Sequence, residues 1–544
     1  MADLQDEKRA LPLAFDEDGS IEAGEVINVS GHVQELDRSF GIWSICAMGV
    51  VSDNAWGAGG GALVVALYNG GAPGVLYELI AATFFYVFIG ASLAELASAI
   101  PSSAAMYHWA SVTAGPKWNC LAWIFGAAST SLITANTIIA MYSLYHPDYS
   151  PQRWQIFLAF LILTWIDCGI VMFGQRYLAR VAALCAGICM TGVFVTILVC
   201  AIVPGTSHGT GYASKDFVWT QWNNQTGYTS DGFVFLAGML NGAFAIGTPD
   251  GVCHLAEEIP DPKRNIPKGI VAQLTTGFIS TFSFYLAVLY SITSMSDVFA
   301  TNIVSLPLAA IYQQATNSKA GTVGLLVIFL LNTLVTLPGA YVAASRNLWT
   351  LGRDGATPFS STLGRVSPRW RNPFNATFVC GCCVTVLGCI YIGSVTAFNA
   401  FVGVFAILTT MSYLAAILPH LLTRRRYVKP GPFWMPGVWG YIVAGIACAY
   451  IIVFNIIYCF PYALPTTAAT MNYSSLMAGG LTVFLAFLYL WKRSRGYIGP
   501  RVALDASDDI IKGIVGLESE LMASRKSAVV QVAAGETRRR RTVL

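Results

Sequence analysis

The chain has 544 residues, of which 55% are hydrophobic and 11% charged. Soluble globular domains carry about 25% charged residues, so a water-soluble fold is excluded and an integral membrane protein is implied. A formal net charge of +3 gives no basis for a nucleic-acid partner, and what matters is where the charges sit.

Residues 1–39 are polar and acidic (Asp3, Asp6, Glu7, Asp16, Glu17, Asp18, Glu22, Glu25) and lack the apolar core of a signal peptide, so they read as a disordered cytoplasmic tail. Apolar stretches then recur at 40–68, 74–100, 118–145, 154–173, 178–203, 232–256, 266–293, 321–345, 374–395, 397–421, 437–460 and 473–491. A bilayer core needs about 20 mostly apolar residues per helix, so these predict an all-α polytopic membrane protein of about twelve transmembrane helices within 40–492. Residues 493–544, with their run Arg538–Arg541, read as a second cytoplasmic tail. The 13 cysteines lie mostly in apolar segments, where free Cys behaves as a small hydrophobe. Cys380-Gly-Cys382-Cys383 has no nearby His, so neither metal nor cofactor is expected.

An even number of spans puts both termini on one side. Loops on that side hold Lys117, Arg176, Arg180, Lys263, Arg264, Lys268, Arg346, Arg353, Arg365, Arg369, Arg371, Arg424, Arg425, Arg426 and Lys429. The opposite loops hold Arg153, Lys215 and Lys319. Positive residues stay inside, so the termini are expected in the cytoplasm, with the plasma membrane as default location and the vacuole next. Two sequons, at Asn224 and Asn472, fall in loops assigned outside and are candidate glycosylation sites. Trp219 and Trp222 fit membrane-interface anchors.

Two spans break the helical pattern. Span one places Ser52-Asp53-Asn54 and then Gly57-Ala-Gly59-Gly60-Gly61 near mid-depth, and span six places Gly247-Thr248-Pro249-Asp250-Gly251 in an apolar run. Backbone groups in hydrocarbon need partners, so non-helical chain survives there only when buried or lining a cavity. The two spans are five apart, as two copies of a five-span repeat require, and paired interruptions mark the substrate site of many transporters. Close helix packing by small residues is the plainer reading of the glycines. Intramembrane carboxylates are costly and functional by default. Asp53 and Asp250 are therefore candidates for the counter-charge of an amine or for a proton carrier, with helix capping as the alternative. Trp43, Trp56, Phe244, Tyr107 and Trp109 lie near in sequence, Trp56 and Phe244 nearest the breaks, and aromatic faces hold cationic amines. Glu257, Glu258, Arg353 and Asp354, with Lys263, Lys268 and Arg346, form a charged surface cluster that reads as a gate network or as ordinary surface pairs, and Glu95 fits either.

Five stretches resemble the amino acid–polyamine–organocation permeases. They are "ASLAELASAIPSSAAMYHWAS" (Ala91 to Ser111), "HLAEEIPDPKRNIPKGI" (His254 to Ile270), "ASRNLWTLGRDGATPFS" (Ala344 to Ser360), and "FPYALPTTAATMNYSSLMAGG" with "YIGP". The last pair is similar to the fungal branch that carries amino acids, choline and 4-aminobutyrate. The resemblance implies a five-plus-five inverted repeat (40–203 and 232–421) plus two helices (437–491), with substrate between broken helices 1 and 6. On this sequence the first break would be Ser52, Asp53, Asn54, Ala55 and Trp56 with Gly57 and Gly59. The second would be Ala245, Ile246, Gly247, Thr248, Pro249 and Asp250. Some proton-coupled relatives use a lysine in span five, and here that span holds only Arg180.

The expected function is therefore a secondary-active permease importing a small amine-bearing solute, with a proton as coupling ion and the lipid bilayer as its surroundings. A nutrient-sensing receptor of the same fold with little flux fits the same residues. An intramembrane enzyme would need a nucleophile–base or metal constellation, and a channel a pore loop or repeated ring motif; neither pattern stands out.

Overall fold

The computed structural model describes residues 13–15, 21–23, 36, 40–113, 119–146, 148–207, 209–300, 306–468, 470–495 and 497. The expected tail 501–544 with its arginine run, most of 1–39, and Lys117 lie outside the described residues. Two units are distinguished, Met1–Val33 with Arg501–Leu544 and Gln34–Pro500. In the first, within the stretch expected as a disordered tail, Leu13–Phe15 and Ile21–Ala23 pair antiparallel, with Ala14 opposite Glu22.

The second unit is all-helical and carries the expected twelve membrane segments. Among the described residues, nine helices are long and apolar enough by themselves to cross a membrane. Span one is the half-helix Ile42–Asp53 continued by the start of Ala55–Ala99. That longer helix bends at Gly70 and Gly71, where φ of Gly71 is +68°, and its remainder is span two. Only a residue without Cβ enters that conformation cheaply. Asn119–Tyr145, Arg153–Phe173 and Gln175–Ile202 complete the first five spans.

Span six begins as Asp231–Ile246, its first turn capped by Ser230, whose Oγ accepts the Phe233 N–H at 3.3 Å. Span seven is Pro262–Tyr290 and span eight is Lys319–Arg353. Phe374–Gly393 and Val395–Leu422 are separated by Ser394 alone, and Gly437–Ile457 and Ser474–Ser494 close the set.

Burial sorts these helices into a lining and a wall. From Gly238 to Ile246 every residue of span six is buried, whereas span twelve turns Val483, Phe484, Phe487 and Leu490 outward. An outward apolar face is stable only against lipid. Trp219 and Trp222 are half-buried against the protein. Trp219 Nε1–H donates to Tyr290 Oη at 2.9 Å, and Trp222 covers Gly70 and Gly74 at the turn between spans one and two.

Candidate functional site

The first break is a single residue. Ile42–Asp53 ends at Asn54, which is left-handed (φ 43°, ψ 44°), and a new helix starts at Ala55. Asn is one of the few residues besides Gly that visits this region readily. The Asn54 side chain does not cap the new helix; its Oδ1 accepts instead from Asn332 Nδ2 at 2.7 Å. The first N–H groups of Ala55–Ala99 thus lack a side-chain cap and point their partial positive charge into the bundle.

The second break is long. After Ile246 no α-helix resumes until Pro262; a 3-10 turn at Cys253–Leu255 is the only regular element between. This corrects the expectation of a span running to 256 with a helix N-terminus beyond its break. Gly247, Pro249 and Gly251 crowd too many weak helix formers into five positions.

The two breaks meet. Thr248 Oγ1 donates to Asp53 Oδ1 at 2.8 Å, with both residues buried. Span seven supplies a floor through a stripe at four-residue spacing, Gln273, Gly277, Thr281 and Tyr285. Gln273 Nε2 donates to the Thr248 carbonyl. A Cβ on Gly277 would sit 2.9 Å from Asp53 Oδ2, so the missing side chain makes room for the carboxylate. Asp53 Oδ2, Gln273 Oε1, Thr281 Oγ1 and Tyr86 Oη are buried and find no close hydrogen-bond partner among the described residues. Four such groups around one break make a polar centre within an apolar bundle.

Asp250 lies beside this centre in its own network. Tyr413 Oη from span ten donates to Asp250 Oδ1 at 2.5 Å, and His254 Nε2 faces Oδ2 at 3.0 Å. The other ring nitrogen of His254 meets the Ser103 carbonyl at 3.0 Å. Asp53 meets Thr248, two residues beyond the end of Asp231–Ile246, so its carboxylate ties the two breaks together.

Of the other expected site residues, Ser52 is half-buried against Gly339 of span eight. Gly57 lies under the Asn54 and Asn332 side chains, and Gly59 under the Tyr285 hydroxyl, so a side chain at either position would collide with these polar groups. Trp56 is fully buried behind the break, its ring 5.3 Å from Phe284 and 5.6 Å from Phe329 and its Nε1–H on Cys189 Sγ at 3.2 Å. Phe244 is buried against Phe405 at 5.9 Å. Trp43 is 84% exposed and turned away. Tyr107 and Trp109 sit on the separate helix Met106–Thr113, Trp109 tied to the Ile100 carbonyl and Tyr107 to Tyr497.

The Arg–Glu pairs of the charged cluster are buried rather than superficial, which corrects the surface reading for those four residues, while Lys263 and Lys268 are exposed. Arg346 Nε donates to Glu258 Oε1 at 2.8 Å with both side chains at most 2% exposed, and Arg353 Nη2 donates to Glu257 Oε1 at 2.7 Å. The Phe40 N–H donates to the Glu258 carbonyl at 3.3 Å, and nearby Leu36 packs on Trp349 and Ala376. Glu95 belongs to a second cluster: Arg425 Nη2 at 2.6 Å, His420 Nε2 at 3.3 Å and the Met435 N–H at 3.0 Å. Lys268 stands outside both; its Nζ reaches Asn265 Oδ1 at 3.5 Å on an exposed face.

Asn224 is partly exposed, with its amide on the Tyr228 carbonyl at 2.8 Å. Asn472 is 1% exposed and spends its Nδ2 on the Tyr458 and Phe460 carbonyls, so it is a packed structural residue rather than an accessible glycan acceptor in the folded chain.

Sequence reasoning missed several polar residues. Glu78, in "LYELIAATFF", is 1% exposed beside Gly238, with no close hydrogen-bond partner for its carboxyl oxygens among the described residues, and Asp167 is equally buried in span four. A lone acid in an apolar run is signal enough for each. Gln273, His254 and Tyr413 gave no such signal, because what matters is which distant chain they meet.

An apolar twelve-span bundle, with two spans broken at the same depth and joined by a carboxylate, has the construction of a multi-pass membrane transporter. The chain belongs to the amino acid permease family, whose model matches residues 40–484; the resemblance to amino acid–polyamine–organocation permeases is borne out. It is similar to a choline transporter of Saccharomyces cerevisiae, 29% identical over 512 residues that cover 90% of this chain and 86% of that protein. It is also similar to the amino-acid permease BAT1 of Arabidopsis thaliana (25%, covering 88% and 96%) and to a 7-keto 8-aminopelargonic acid transporter of S. cerevisiae (23%, covering 81% and 90%).

Proposed function

We propose that this protein is a secondary-active permease that imports a small amine-bearing solute, such as an amino acid, 4-aminobutyrate or choline, by alternating access and in symport with protons. The observation that carries this reading is the Asp53–Thr248 bond, which brings the interruptions of spans one and six together. In this account Asp53 is the counter-charge for the amine, aided by the carbonyl end of Asp231–Ile246. The uncapped start of Ala55–Ala99 accepts a carboxylate where the solute has one. A solute lacking a carboxylate relies on Asp53 and on the Phe244 and Tyr86 rings.

The relatives named for choline and for amino acids support the solute class. With the termini in the cytoplasm of a plasma-membrane protein, the Arg346–Glu258 and Arg353–Glu257 pairs form the inner gate. Their desolvated charges regain water when the bundle rocks open, which offsets the lost pairing. The test is uptake of labelled solute into sealed vesicles bearing the full chain, competed by amino acids, 4-aminobutyrate, choline and polyamines. Saturable accumulation against a gradient, blocked by one of the amines, is expected. Saturable binding without accumulation would make the protein a receptor of this fold.

A further inference from the structure

The Asp250–His254 couple fixes its own proton count. The Ser103 oxygen that faces His254 Nδ1 at 3.0 Å is a carbonyl and only accepts, so Nδ1 carries a hydrogen. The other ring nitrogen, Nε2, stands 3.0 Å from Asp250 Oδ2. A lone pair facing a carboxylate oxygen at that distance is repulsive, so a second hydrogen lies between them. The couple is an imidazolium with a carboxylate, or a neutral imidazole with a carboxylic acid; both contain one proton more than neutral histidine with ionised aspartate. Both residues are fully buried, where the net-neutral couple is the form that burial tolerates. The titratable groups that surround it are Asp53 across the break, Tyr86 from span two, Tyr413 from span ten and Cys253 on its own turn.

The couple is also tied to the charged end of the bundle. Ser103, which holds Nδ1 through its carbonyl, accepts the Glu257 N–H on its hydroxyl at 3.1 Å, and Glu257 is the partner of Arg353. A movement that separates the turn after span two from residues 254–257 removes the Nδ1 acceptor and the Ser103 contact that steadies the ion-paired Glu257 together.

We infer that Asp250 and His254 are the proton-carrying site of the transporter, loaded while the Ser103 and Glu257 contacts are made and discharged when they part. The balance is simple: one proton binds to the couple from one side and leaves from Nε2 or Oδ2 to water on the other, with no covalent bond exchanged. This assignment rests on the proton-coupled reading above.

The experiment uses the full chain in sealed vesicles, with labelled choline and labelled 4-aminobutyrate as probes. Uptake driven by an imposed pH gradient is compared with exchange against the same unlabelled solute at equal pH, which needs no net proton movement. The ratio of gradient-driven to exchange flux is expected to fall about tenfold in His254→Gln and in Asp250→Asn, within the usual range of site coupling. An unchanged ratio, in a chain whose wild type responds to the gradient, overturns the assignment alone. A wild type that exchanges solute but ignores the gradient overturns the coupling reading and the assignment with it. Infrared titration of the solute-free chain covers variants that fail to transport. A buried proton shared by the couple gives a pH-dependent band lost in both variants, and its absence from the wild type overturns the assignment whatever the fluxes show.

Discussion

The breaks in spans one and six are built differently. Span one is interrupted by one left-handed residue, Asn54, and resumes as helix at once. Span six stays irregular from Gly247 to Asp261. The short break presents a helix start, a source of backbone donors. The long one presents side chains and turns that reach Asp53, Tyr413, Ser103 and the buried ion pairs. In the proposed transporter, the short break would serve binding through its helix end, and the long one is long enough to touch the ion-paired end as well.

The comparison breaks most sharply at the ion-paired end. Arg346→Met strips the guanidinium from Glu258, and the loss expected on breaking a buried pair is about 3–5 kcal/mol, read by thermal unfolding in detergent. Adding Glu258→Leu should recover much of it; a double variant no more stable than the single would show that the pair is not what holds this end. Next in size, Thr248→Val removes the bond to Asp53 and should weaken solute binding by about 1.5–3 kcal/mol, measured by equilibrium binding of the transported amine. A loss below about 0.5 kcal/mol would mean that the breaks do not depend on each other. Smaller again is the backbone of the first break: Asn54→Ala should cost about 1–2 kcal/mol for its left-handed geometry, whereas Asn54→Gly should cost less in the same melt. Equal losses would place the effect in the Asn332 contact instead. The smallest expected change is at the sequons. Asn472→Gln should leave the gel mobility shift on deglycosylation unaltered, and Asn224→Gln should abolish it if that loop carries the glycan.

The twelve spans and both breaks were legible because they are written in local chemistry. Long apolar runs have one stable solution in lipid, and Gly247-Thr-Pro-Asp-Gly251 or Ser52-Asp53-Asn54 contradict those runs at a definite depth. The extent of the second break was not legible, since "HLAEEIPDPKRN" can end a helix anywhere between its first residue and its prolines. Burial of the charged cluster was likewise hidden. Glu257, Glu258 and Arg346 look like loop charges until spans six and eight bring opposite signs within 3 Å of one another. Trp56 shows the reverse error: an aromatic next to a break invites a ligand role, yet its ring is spent on Phe284, Phe329 and Cys189. Sequence distance from a site says little about which way a side chain turns.

That the breaks of spans one and six act as one solute-gripping unit is tested most directly by a double-mutant cycle on Asp53 and Thr248. Binding of the transported amine is measured in wild type, Asp53→Asn, Thr248→Val and the double variant. A shared site predicts strong non-additivity, with the double variant scarcely weaker than the worse single, a coupling of about 1 kcal/mol or more. Losses that simply add would contradict it.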